Sequence, residues 1–216
     1  MPFIRRMLAV AAFASLAGAA SAEEARHLEC AGPFSKDATA ASLASVFGAA
    51  NVVNQTIDGP EGTTMEATLV FPDDPARRLV VLWQDEAARV GPAAILIEGE
   101  SQWIGPGGIR LGSTLAEVEA ANGGPFDILG FGWDYGGSAG FTEGGLANLP
   151  GGCVLSLTFD LGENAQGPEF DAIRGDSEFR TDNPLMQKAA PTVSEIAVGY
   201  PVEGYEEEGP GEEGGE

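Results

Sequence analysis

Asp127 and Asp134 are the residues in this chain best spaced for chemistry, with Trp133 and Tyr135 flanking the second of them. Two carboxyl groups in unlike surroundings divide acid and base work, one kept neutral and one ionised, as glycoside hydrolysis requires. Glu98 and Glu100 ahead of Trp103 repeat the combination of acids and an aromatic ring. The activity so defined is a carboxylate-based hydrolase of envelope glycans, with Asp127 and Asp134 as its catalytic pair. Against it, no Asp-Thr-Gly or comparable signature is present, and most of the 33 acidic residues must be surface charge.

Other chemistries are harder to build. His27 is the one histidine, and it is expected near a free terminus, a poor place for a general base. Ser-His-Asp, Cys-His and zinc-hydrolase arrangements all need a positioned imidazole. Gly130-x-Gly132 is followed by Gly136, which breaks the G-x-G-x-x-G spacing of dinucleotide sites. No calcium-loop pattern is present. No metal and no cofactor is expected.

Binding remains. Phe131, Trp133 and Tyr135 alternate, so an extended backbone would put all three on one face. Such a row either packs inward on the helix behind Thr114, as large aromatics usually do, or faces a partner with Trp103 beside it. In the second case Trp103, Phe131, Trp133 and Tyr135 form the binding residues, as aromatic hot spots do elsewhere.

The N-terminus reads as a secretory leader over residues 1–22. Arg5 and Arg6 precede a short apolar core at 7–20, and Ala20-Ser21-Ala22 is a small-x-small cleavage site. The Arg pair leaves the general and twin-arginine routes both open. No Cys follows the apolar core, so no lipid anchor is expected there. The apolar run is too short to span a bilayer, and no membrane insertion is expected elsewhere; a periplasmic or secreted protein results. In that oxidising setting Cys30 and Cys153, the only cysteines, should form a structural disulfide.

Formal net charge is −22. Phosphate backbones are repelled by such a surface, so no nucleic-acid partner is expected; the charge serves solubility first, and basic proteins, polyamines and metal ions remain as cationic partners.

The elements that must position these residues follow from patterning. Aligned so that Thr39 falls on Thr114, Leu43 falls on Val118, Val46 on Ala121 and Gly48 on Gly123. Both stretches predict a Thr-capped helix ending at Gly, with Thr114-x-x-Glu117 a capping box. Strands are predicted at 51–57, 65–71, 78–84 and 93–104 after the first helix. After the second they fall at 126–135, 138–141, 153–161 and 192–200, and the short connections make them antiparallel. The fold class is α+β: two repeated units, each a helix followed by about four antiparallel strands. The units cover 23–107 and 108–204, the second with an irregular insertion at 160–190 holding short helical turns near Ala172 and Leu185. The Glu-rich tail 205–216 is expected to be disordered.

On the Thr-to-Gly helix units and the element order, the chain resembles the tandem-repeat domains of β-lactamase-inhibitor protein and of the small lipoprotein of the outer-membrane assembly machinery. It departs from them in lacking a lipid-attachment Cys and in having one disulfide in place of one per repeat. The resemblance implies a protein-binding role without chemistry of its own, and carries over no functional residue. The expected function is therefore an exported, non-catalytic binding or inhibitor-like protein of the bacterial envelope, with the glycan hydrolase as the alternative.

Overall fold

Thr39 begins the first helix, α1 (Ala40–Phe47), by accepting the Ser42 backbone N–H on its side chain at 3.0 Å. The Ser42 hydroxyl in turn accepts the Thr39 N–H at 2.9 Å. Two donors that would otherwise be orphaned are answered. Thr114 does the same for α2 (Leu115–Asn122) with Glu117, and α2 ends at Gly123 in a left-handed conformation. A third helix, α3 (Pro184–Ala189), has proline in its first turn, where a missing N–H costs nothing, and Asn183 as its cap. The computed structural model describes residues 26–59, 62–165 and 167–201; the expected leader and acidic tail lie outside the described residues.

The described residues form nine strands: β1 (Val52–Asp58), β2 (Thr64–Val70), β3 (Leu79–Asp85), β4 (Val90–Ile97), β5 (Asp127–Leu129), β6 (Ser138–Gly140), β7 (Val154–Asp160), β8 (Glu178–Arg180) and β9 (Thr192–Gly199). Seven of them form one sheet in the order β1-β2-β3-β4-β9-β7-β6, with every pairing antiparallel. The other two, β5 and β8, pair separately. The class is α+β with a mostly antiparallel sheet.

Alternation along each strand sorts the side chains. On β7, Leu155, Leu157 and Phe159 are buried while Val154, Ser156 and Asp160 face out. The inward set joins Val70, Leu79, Val81, Ile95, Ile97, Ile196 and Val198 with Leu43 of α1 and Leu115 and Val118 of α2 in one core. Leu69 and Val80, adjacent to Val70 and Leu79 in the same ladder, point to the opposite face and join Ala67 in a second, smaller cluster.

The centre of the sheet is the junction of β4 and β9, where Ile95 faces Val198, Leu96 faces Ala197 and Ile97 faces Ile196. Each of the two Thr caps is fastened to the start of one of these strands. Thr39 bridges Val90, and Gly91 N–H donates to Ala38 at 3.0 Å; Thr114 bridges Thr192, and Val193 N–H donates to Ser113 at 2.9 Å.

Three strand expectations change. The run at 126–135 is extended only to Leu129, and residues beyond Phe131 form a turn. The run at 93–104 stops at Ile97, because Gly99 takes a positive φ and Ser101 N–H turns back to Glu98. The 160–190 segment adds β8, a strand too short for periodicity to signal, besides a 3-10 helix over Pro168–Ile173 and α3.

Cys30 and Cys153 form a disulfide across a sequence separation of 123 residues, tying the N-terminal segment to the start of β7. Cross-links of long loops act chiefly by restricting the unfolded chain. Replacing both cysteines with Ser should lower the urea midpoint by the equivalent of about 2–5 kcal/mol. An unchanged midpoint would show that the bond contributes nothing.

Candidate functional site

Glycine decides where β5 ends. Gly132 and Gly137 both take positive φ, at 88° and 79°, and a Cβ on Gly137 would collide with the Phe159 carbonyl. With no side chain, Gly137 donates its N–H to Leu129 at 2.9 Å and accepts the Phe159 N–H at 2.9 Å. The turn is thereby seated on β7. Beyond it the two arms splay: β6 stays in the large sheet, and β5 leaves to pair with β8, Asp127 facing Arg180 and Leu129 facing Glu178.

The splay opens a groove of about 540 Å³ whose walls include Asp127, Glu143, Glu178 and Arg180. Phe126 and Phe141, also in its wall, pack with ring centroids 5.2 Å apart. Arg180 lies 3.9 Å from Asp127 and 3.9 Å from Asp182. Three carboxylates against one guanidinium leave the groove net acidic.

The four expected binding aromatics divide. Trp133 and Tyr135, in the turn, are 37% and 63% exposed, with rings edge to face at 5.5 Å. The Trp133 indole N–H donates to Gly130 O at 2.8 Å, which holds the ring in place. Trp103 is instead 2% exposed; its N–H donates to Arg77 O at 2.7 Å and its ring packs edge-on against Phe34. Phe131 is 5% exposed, its backbone bonded to Ile173 and Gly175. Trp103 and Phe131 are thus corrected to core residues. An indole with an internal acceptor loses nothing by burial, and both rings contribute more by leaving water than by facing it.

Asp127 lines the groove, whereas Asp134 does not; it is exposed on the turn between the two aromatic residues. Glu178 and Arg180 escaped sequence reading because they lie in the unpatterned 160–190 segment. Their only signal is the alternation of Glu178-Phe179-Arg180.

His27 also moves from its expected place. Its backbone bridges Ile104, with Leu28 N–H donating to Ile104 at 2.8 Å and Ile104 N–H to Arg26 at 2.9 Å. The imidazole belongs to the folded body and is exposed where two clefts adjoin, one lined by Leu28, Pro106 and Leu149, the other by Phe34, Val46 and Phe47. Glu29 lines both clefts beside it, and neither lining contains Ser, Thr, Lys or a free Cys. Among the described residues, no helix is long and apolar enough to cross a membrane, and no three His, Cys, Asp or Glu residues are grouped to hold a metal.

Elsewhere, Glu195 on β9 pairs with Thr158 of β7, next to Ile196, whose partner on β4 is Ile97. Burial raises its pKa above the ordinary carboxyl value, and the Glu98 carboxylate raises it further.

Fold and site together define an α+β protein with a seven-stranded antiparallel sheet and an exposed aromatic turn beside an acidic groove. No protein-family model matches the chain, and comparisons with curated proteins and with solved structures return no match.

Glu195 yields a pH dependence with a definite sign. Its raised folded-state pKa means that the native chain holds this proton more tightly than the unfolded one. The stabilisation is complete below the unfolded value of 4.5 and is lost as pH rises through the folded value. Glu195→Gln should therefore raise Tm at pH 7 and leave it nearly unchanged below the ordinary value of 4.5. Equal shifts at both pH values would remove Glu195 as the source.

Proposed function

We propose that this chain is an exported, non-catalytic binding or inhibitor-like protein of the bacterial cell envelope, and that Trp133 and Tyr135 anchor its partner. One observation carries the reading: two large aromatic side chains are presented at the surface by a glycine turn bonded to β7. The Trp133 indole is already tied to Gly130, so binding sacrifices little side-chain freedom there, and pre-organised aromatic anchors of this kind dominate interface energetics. The acidic groove beside them and the net charge of −22 favour a basic partner. The leader pattern and the disulfide favour a periplasmic or secreted location.

We also read the chain as two related units, in the manner of the β-lactamase-inhibitor-protein-like domains. Two features support this: the like capping of α1 and α2, and the matching attachment of Thr39 to β4 and Thr114 to β9. In this reading β9 is the counterpart of β4, and β5 is the strand that has left the second unit's sheet. The alternative, a glycan hydrolase using Asp127 and Asp134, draws support only from the place of Asp127 in the groove. Loss of peptidoglycan cleavage in Asp127→Asn would be its signature.

The binding reading is tested by affinity capture from envelope extract, comparing the folded chain with Trp133→Ala/Tyr135→Ala. The wild type should retain a partner that salt releases, and the double variant should bind it at least about 30-fold more weakly, as for loss of about 2 kcal/mol at a hot spot. Matching circular dichroism spectra would show that both proteins are folded. Equal capture by the two, or none by either at low salt, would remove the proposal.

A further inference from the structure

Strand β1 is an edge of the seven-stranded sheet, and among the described residues no strand pairs with its outer side. Two bonds at the ends of its ladder show which backbone groups are left over. Phe71 N–H donates to Asn51 at 2.7 Å, and Gly59 N–H donates to Thr63 at 2.8 Å. The register between them runs without a shift, with Val53 opposite Leu69, Gln55 opposite Ala67 and Ile57 opposite Met65. Hydrogen-bonded pairs alternate along an antiparallel ladder, so these odd-numbered residues bond to β2. The N–H and C=O groups of Val52, Asn54, Thr56 and Asp58 point away from it.

Native edges are normally guarded by Lys, Pro, bulges or short length. The opposite edge, β6, is three residues long. At seven residues, Val-Val-Asn-Gln-Thr-Ile-Asp, β1 contains no Lys, Arg or Pro and shows no bulge against β2.

We propose that β1 pairs with β1 of a second copy of this chain, antiparallel and centred on Gln55, joining two sheets into one. This register alone engages all four outward-facing residues: Val52 meets Asp58 of the other copy and Asn54 meets Thr56, each pair twice, giving about eight backbone bonds. Between them, Gln55 faces Gln55 and Val53 faces Ile57. The second pairing places two aliphatic side chains in direct cross-strand contact, on the same sheet face as Ala67, Leu69 and Val80. Asp58 is the only charge on the strand, and the two Asp58 residues fall at opposite ends of the joint. The high net charge of the two bodies opposes association, but salt screens that repulsion while sparing the short-range pairing.

The aromatic turn precedes β6, at the far side of the strand order from β1. The dimer therefore leaves a Trp133–Tyr135 turn open on each copy. If the binding function proposed above holds, the assembly is bivalent, and linked sites gain apparent affinity without new contacts. The pairing itself does not depend on that function.

Sedimentation of the folded chain tests the pairing. The wild type should show a monomer–dimer equilibrium that shifts to dimer as salt is raised. Thr56→Pro, which removes an outward N–H while keeping the ladder to β2, should abolish it. Gln55→Lys and Gln55→Glu should each dimerise at least about tenfold more weakly, because like charges meet across the centre. An equimolar mixture of the two should recover the dimer. A wild type that stays monomeric at every salt concentration would overturn the proposal, as would a mixture no more associated than its separate components.

Discussion

Everything in this fold hangs on a short pairing, Ile95 to Ile97 against Ile196 to Val198. It is the seam through which β1–β4 and β6–β7–β9 become one sheet. Around it, Ile95, Ile97, Ile196 and Val198 are all fully enclosed, and the core they form reaches Leu43 on α1 and Leu115 on α2. Both helix caps are bonded into the starts of the same two strands. A helix of eight residues is marginal by itself. Here each is fastened at its N-terminus to the start of a central strand, so neither relies on its own turns alone.

The disulfide and the glycine turn act on the parts that this seam does not reach. Cys30–Cys153 attaches the N-terminal segment, which also bridges Ile104 and sends Leu28 and Phe34 into the core, onto the second half of the sheet. Gly137 presses the 130–137 turn onto β7 so closely that no side chain fits. The turn is irregular in backbone yet well positioned, which allows an irregular segment to present Trp133 and Tyr135 in a defined pose.

Much of the scaffold was legible from local patterning. The Thr39 and Thr114 caps, the glycine stops, and the strands near 52–58, 64–70, 79–85, 154–160 and 192–199 follow from short-range chemistry that needs no knowledge of the fold. What was not legible depends on distant partners. Phe131, Trp133 and Tyr135 alternate as a strand would, but Gly132 at positive φ turns the backbone out of extension, and only two of the three rings reach the surface. Trp103 looked available because its acceptor, Arg77 O, lies 26 residues away in sequence. The groove wall from β8 has too few residues to show a period, and the place of His27 depends on a bridge to Ile104.

The order of strands has one further consequence. In space β9 is near the middle of the sheet, but along the chain it is the last of the described strands to be made. As the polypeptide emerges from a ribosome, β4 waits with its inner edge open until residues 192–199 arrive. Long-range pairing of this kind is intrinsically slow to form. A chain of this design can close its large sheet only once β9, far along the sequence from β4, is free to pair.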